Sequence, residues 1–268
     1  MYRAITATPL SPRIGAEIGH VDLAAPLAPA VQEELRRAFI QYQVIVFRDQ
    51  PLDLDQLERL GRCFGDLSGH VGTRSNSVST ENPFVRRYHF DEKSKRLAER
   101  ELHSDQSCAA VPPAGSLLYN HTLPSDGGGD TLFASMYAAY DALSDRMKNL
   151  LGGLTATHDG TGPFGPGSPV SAHPVVVTHP GSGRKAVFVN LGFTTHINEL
   201  PPREGRALLQ FLFDHCDRPE WTCRFRWQPH SIAVWDNRCT LHRAIFDYWP
   251  QVRSGFRLYV DGRIPPHA

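Results

Sequence analysis

Two stretches near the start of the chain, residues 28–42 (APAVQEELRRAFIQY) and 54–64 (LDQLERLGRCF), carry apolar residues at helical spacing, which predicts an amphipathic helix for each. Between them the uninterrupted run Val44-Ile45-Val46-Phe47 predicts a buried strand. From residue 112 onward the pattern changes to short apolar runs punctuated by glycine and proline, at 115–119, 131–133, 174–178, 186–189, 223–227, 232–235 and 256–260. Many short strands divided by turn signals predict a sandwich or jelly roll, a mainly β fold with flanking helices. Helical patterns at 136–151 and 202–215 interrupt the series, the second with an apolar face through Leu208, Leu209, Phe211 and Leu212. The segment 159–168 (DGTGPFGPGS) is rich in glycine and proline and predicts a mobile loop.

Composition narrows the class. The 268 residues, 41% of them hydrophobic, are enough chain for one large core, and we read them as a single domain over 1–268. Basic and acidic residues balance at 28 each, and the one short basic run, 93–100, is interrupted by Glu99, so there is no electrostatic footprint for nucleic acid. The chain lacks an apolar run long enough to span a membrane, and its start, MYRAITATPL, lacks the layout of a signal peptide. The expectation is a cytoplasmic protein with no membrane partner. Five cysteines, odd in number and without a CxxC pair, encode neither a disulfide framework nor a zinc knuckle. They read as reduced thiols, with Cys108 and Cys239 as small buried hydrophobes.

The chemistry lies in two distant segments. His103 and Asp105 are spaced i, i+2, which at an extended strand end sends both side chains to the same side. His242, at the end of WDNRCTLH (235–242), could then close one triangular face of a metal ion. Two imidazoles and one carboxylate leave three positions open, as a non-haem Fe(II) oxygenase requires: a chelating co-substrate takes two and dioxygen the third. A lone His-x-Asp pair is equally a surface turn or a hydrogen-bonded structural pair, so its surroundings matter. They include GGGDTLF at 127–133 and two arginines, Arg253 and Arg257, whose i, i+4 spacing on a strand places both on one face.

Together with TPL at 8–10, IGAEI at 14–18 and QVIVFR at 43–48, these motifs resemble the taurine/2,4-dichlorophenoxyacetate dioxygenase family, the Fe(II)- and 2-oxoglutarate-dependent oxygenases, over nearly the whole chain. The resemblance implies a double-stranded β-helix with His103, Asp105 and His242 as the iron ligands. It also implies Arg253 and Thr131 as partners of the distal 2-oxoglutarate carboxylate, which a planar guanidinium can pair bidentately. Arg257 then matches the arginine that grips an anionic substrate head, with a surface ion pair as its structural alternative. His70 falls where taurine enzymes place a histidine against the sulfonate, although an ordinary loop histidine would read the same. Phe193 falls on an aromatic wall, and Trp235 near the metal or simply in the core.

This sequence also departs from the family. Thr73 and Glu99 stand where taurine dioxygenases carry tyrosine and asparagine, and Leu102 replaces the usual aromatic residue before the first ligand. An aromatic wall residue is missing around Gly160, and the loop 158–173 is short, which predicts a smaller lid. Polar contacts are lost while Arg257 remains, and a buried guanidinium without a counter-anion is costly, so a small carboxylate, sulfonate or sulfate other than taurine is expected. The reaction the family implies consumes O2 and 2-oxoglutarate, releases succinate and CO2, and oxidises a C–H bond aimed at the metal, with desaturation as a variant. Two alternatives stay open: a metal-binding jelly roll without oxygenase activity, which would make no succinate, and a metal-dependent hydrolase, which would act without oxygen. Assembly into a homo-oligomer is also open.

Overall fold

The computed structural model describes residues 2–72, 77–94 and 101–268. Its backbone is organised by a large mixed sheet of nine strands, in the order Thr6–Pro9, Ala16–Gly19, Val44–Phe47, Ser231–Asp236, Gly115–Thr122, Arg253–Val260, Arg86–Phe90 and Ser77–Ser79, with Leu67–Ser68 also pairing with Arg253–Val260. A second sheet, Thr222–Phe225, Thr131–Ser135 and Thr240–Ala244, lies against it. Phe133, Cys223, Phe225 and Trp227 of the smaller sheet and its flank share one core with Val44, Val46, Leu118, Ala233 and Trp235 of the larger. This is the sandwich predicted by the short strands.

Val44–Phe47 shows why an unbroken apolar run becomes a central strand. Alternate side chains point to opposite faces. Val44 and Val46 enter the inter-sheet core, while Ile45 and Phe47 join Leu35, Ala38, Phe39, Leu57 and Leu60 of the two N-terminal helices on the outer face. Those helices are Pro29–Tyr42 and Leu54–Arg62. The second starts on a capping box, in which Asp53 accepts from the Gln56 amide and the Gln56 side chain accepts from the Asp53 amide. A third core gathers helix Pro202–Cys216, through Leu209 and Leu212, against Val175, Val177, Val187 and Val189 around the pair Val176–Thr178 and Lys185–Val187.

Several boundaries differ from the sequence reading for local reasons. The single helix expected over 136–151 is two, Met136–Asp141 and Asp145–Leu151, because the Ser144 side chain accepts from the Met147 amide and caps a new start. The strand expected at 174–178 is divided between Val170–Pro174 and Val176–Thr178, which pair in different sheets. Residues 159–168 are not a featureless loop, for Thr161–Phe164 forms a helical turn. The pattern also missed Thr6–Pro9, Ala16–Gly19, Arg86–Phe90, Thr155–Asp159, Thr194–Ile197 and Thr240–Ala244, strands too polar or too short to stand out. Among the described residues, no helix is long and apolar enough to cross a membrane, and all five cysteines are unpaired and buried.

Candidate active site

His103 and His242 come together because their backbones exchange two hydrogen bonds, His103 N to His242 O at 3.0 Å and His242 N to His103 O at 2.8 Å. The imidazoles lie side by side, their centroids 4.3 Å apart. Two residues on, Asp105 Oδ1 stands 3.7 Å from His103 Nε2 and 3.8 Å from His242 Nε2. The chain then turns through Gln106, in the left-handed region at φ 52°. One ligand atom from each of the three residues falls within 4.8 Å of the others, and all three side chains are buried. His103 Nδ1 lies 2.8 Å from the Glu101 carbonyl, which can only accept, so Nδ1 donates to it and Nε2 is the ring nitrogen turned toward Asp105 and His242. Two such nitrogens and a carboxylate suit a divalent transition metal.

Arg257 reaches the same point, its Nη2 3.3 Å from His242 Nε2 and 3.6 Å from Asp105 Oδ1, with its guanidinium over Trp235. Trp235 packs 4.6 Å from the His242 ring. Arg253 lies four residues earlier on the same strand and face. Its guanidinium sits between Tyr88 and Trp227, 5.5 and 5.7 Å from the ring centres, and Trp227 Nε1 donates to Thr131 Oγ1 at 3.0 Å. Thr131 and Arg253 therefore share one wall. Arg253 is only 4% exposed, yet its Nε and Nη2 have no hydrogen-bond partner among the described residues. A buried guanidinium in that state is a site for an anion. The glycine run covers it closely: Gly129, at φ 85°, leaves only 3.1 Å between the position of a Cβ and Arg253 Cδ.

The other two sequence-identified residues line the approach to the triad. Phe193 is buried 6.5 Å from the His103 ring, and Phe164 packs between Phe193 at 5.2 Å and His70 at 4.7 Å. His70 also faces Tyr259 at 6.0 Å. Burial, with the nearby Arg86 charge, lowers the His70 pKa, so the imidazole is neutral at neutral pH. The aromatic wall expected to be missing around Gly160 is present, supplied by Phe164. A side chain at Gly160 would meet Cys108 Sγ at 2.7 Å and the Pro169 carbonyl at 2.8 Å, so the ring comes from the next helical turn. Leu102 packs in the core away from this wall. Thr73 and Glu99 lie outside the described residues.

A second cluster, His179, Asp236 and Cys239, has similar spacing but different chemistry. Arg238 donates to both Asp236 oxygens, at 2.8 and 2.6 Å, and His179 Nε2 lies 3.0 Å from Oδ2. Burial alone would raise the Asp236 pKa, but the Arg238 charge and these hydrogen bonds outweigh it and hold the carboxyl well below its usual range. Burial and the Asp236 charge push the Cys239 thiol well up, leaving it neutral and a poor ligand. The cluster is a clamp on the turn that delivers His242.

Sequence reasoning missed the polar residues behind and beside the ligands. Ser116, Asn120 and Asn237 are 0–2% exposed. Asn120 is paired opposite Gly255, and a Cβ on Gly255 would lie 2.8 Å from Asn120 Oδ1 and 2.7 Å from the Tyr88 hydroxyl. Both polar groups thus lie close to the position a Gly255 side chain would take, between Arg253 and Arg257 along the strand. Polar residues at inward positions of the strand Gly115–Thr122 were the available signal, legible only once its pairing was known.

Comparison with known proteins gives the family. Residues 6–259 match the family model described as "Taurine catabolism dioxygenase TauD, TfdA family". Over 258 residues the chain is 36% identical to the "Putative alpha-ketoglutarate-dependent sulfonate dioxygenase" of Schizosaccharomyces pombe, covering 89% of this chain but only 65% of that protein. It is 34% identical to the alpha-ketoglutarate-dependent 2,4-dichlorophenoxyacetate dioxygenase of Cupriavidus pinatubonensis, covering 90% of this chain and 92% of the relative. The crystal structure of a taurine dioxygenase from Burkholderia xenovorans superposes with a TM-score of 0.87 at 33% identity, covering 98% of this chain and 93% of that one. With a family model matched over nearly its whole length and a relative 34% identical over nine-tenths of both chains, this chain belongs to the TauD/TfdA dioxygenase family.

Proposed function

We propose that the protein is an Fe(II)- and 2-oxoglutarate-dependent dioxygenase, a single domain working in the cytoplasm, that oxidises a C–H bond of a small acid bearing a carboxylate, sulfonate or sulfate. The observation that carries this reading is the pair of buried guanidinium groups on one strand, Arg257 beside the His-Asp-His triad and Arg253 farther along it with N–H groups that have no hydrogen-bond partner among the described residues. Two anions are thereby provided for. A metal-dependent hydrolase or a silent metal-binding jelly roll would leave Arg253 and Thr131 without work. The names of the relatives, which act on sulfonates or on 2,4-dichlorophenoxyacetate, support an acidic substrate here. The unpaired cysteines support a reducing compartment.

In this reading His103, Asp105 and His242 hold the iron. Arg253 and Thr131 take the distal carboxylate of 2-oxoglutarate. Arg257 draws the acidic head of the substrate toward the triad, with neutral His70 beside it as a hydrogen-bonding partner. Phe164 and Phe193 form the apolar wall that excludes water and fixes which carbon is presented. Iron and 2-oxoglutarate, when bound, supply the oxidising chemistry with O2, and succinate and CO2 leave.

The test is a succinate-release screen over small sulfonates, alkyl sulfates and aryloxy acids with Fe(II) and 2-oxoglutarate. His103→Ala, Asp105→Ala or His242→Ala should each abolish turnover. Arg257→Ala should preserve the visible band of the anaerobic Fe(II)–2-oxoglutarate complex while uncoupling succinate from product, and Arg257→Lys should restore coupling only in part. Absence of that band and of iron-dependent succinate from the wild type would refute the dioxygenase reading. Full coupling in Arg257→Ala would refute the acidic-substrate reading alone.

A further inference from the structure

The fold treats the two oxygens of Asp105 differently. Oδ1 faces His103, His242 and Arg257, at 3.7, 3.8 and 3.6 Å. Oδ2 turns away and accepts from Ser116 Oγ at 2.6 Å. Ser116 accepts in turn from Asn237 Nδ2 at 2.9 Å. An amide nitrogen only donates and a carboxylate only accepts, so the single hydroxyl proton of Ser116 is committed to Asp105. Asn237 also holds the ligand triplet from its other side, because its main-chain carbonyl accepts from Ser104 Oγ at 2.7 Å. Ser104, Ser116 and Asn237 are 1%, 0% and 2% exposed, which leaves water little access to replace any of these bonds.

We propose that Ser116 and Asn237 are positioning residues that restrict Asp105 to one metal-facing oxygen and so keep the remaining face of the site open for co-substrate and dioxygen. The proposal rests on reading His103, Asp105 and His242 as metal ligands. Without the Ser116 proton, Oδ2 would be a buried, unsatisfied acceptor, and rotation of the carboxylate toward a bound cation is its available relief. A second oxygen there would take one of the three open positions. Asn237 enforces the arrangement by occupying the Ser116 lone pair and fixing its rotamer. It also stands beside Asp236, which is clamped by Arg238, so the turn that delivers His242 sets the orientation of Asp105 as well.

The experiment titrates Mn(II) into the metal-free full-length protein and records the visible spectrum with Co(II), neither of which requires turnover. Ser116→Ala should alter the Co(II) spectrum, because a carboxylate that gives both oxygens changes the coordination, and should change Mn(II) affinity about 10-fold or more, and Ser116→Thr, which keeps the hydroxyl, should restore both to within about threefold. Ser116→Ala within about twofold of wild type, with an unchanged Co(II) spectrum, overturns the proposal. Should Ser116→Ala fail to melt cooperatively, Asn237→Ala reads the same chain one link out. A Co(II) spectrum altered in the same way, with Mn(II) affinity changed about threefold or more, supports the proposal, and an unchanged spectrum with affinity within about twofold overturns it. Failure of the wild-type protein to bind Mn(II) or Co(II) would instead refute the metal-site reading, a separate result.

Discussion

Arg253 and Arg257 are one residue type four positions apart on one strand, both more than nine-tenths buried, and only their neighbours divide their work. Arg257 stands within ion-pair distance of Asp105, whereas Arg253 lies among aromatic rings, its Nε and Nη2 without a hydrogen-bond partner among the described residues. Removing one partner of a buried, hydrogen-bonded charge pair costs roughly 2–5 kcal/mol, so Arg253→Ala should raise the KM for 2-oxoglutarate at least about 30-fold, the 2 kcal/mol lower bound at about 1.4 kcal/mol per tenfold. Thr131→Ala should cost about 1 kcal/mol, a single hydroxyl hydrogen bond. Steady-state kinetics in 2-oxoglutarate check both. Equal and small effects would place the co-substrate elsewhere.

The strand Arg253–Val260 also carries a device that its side chains do not reveal. Its register against Gly115–Thr122 shifts between Ser254 and Gly255, and a Cβ at Gly255 would run into the Tyr119 carbonyl. Glycine is therefore required where the two backbones close at an irregularity between the arginines. Gly255→Ala must part the strands, and we expect a loss of about 1–3 kcal/mol in urea unfolding, the range for forcing added atoms into a packed interior. An unchanged midpoint would show that the neighbouring strand yields freely. The element boundaries tell a similar story. The strand 44–47 is legible because both its faces are buried, but Thr240–Ala244, which carries His242, is half polar and becomes a strand through pairing with Thr131–Ser135.

Across the whole molecule, the packing behind the site stores a dependence on pH. His158 is fully buried against His173 and Phe188, with its Nδ1 2.9 Å from Ser107 Oγ, two residues beyond Asp105. Burial, reinforced by His173, lowers the His158 pKa to about 3, and burial lowers that of His173 as well. Between this value and the ordinary histidine pKa near 6.5 the unfolded chain binds a proton that the folded chain does not, so stability is present above that window and falls as pH drops through it. From pH 7.5 to 5.5, His158 alone should cost about 1.4 kcal/mol. Urea unfolding at the two pH values measures this, and His158→Asn should flatten the dependence. An unchanged slope in that variant would mean that the folded protein accommodates the charged imidazole.

The residues of the candidate site were legible as types at local spacings, with their roles supplied by the family resemblance: His103 and Asp105 two apart, Arg253 and Arg257 four apart, and the WDNRCTLH segment that ends in His242. Such spacings survive in any extended backbone, because alternation alone puts i, i+2 and i+4 on one face. Linear spacing could not show the pairings between distant segments. The bridge of His103 to His242, the replacement of an aromatic wall at Gly160 by Phe164, and the aim of Ser116 and Asn237 at one oxygen of Asp105 depend on strand register and on which atoms already occupy the space. Those are decided by burial of the whole sheet, since a slip of one residue would turn every inward polar group outward.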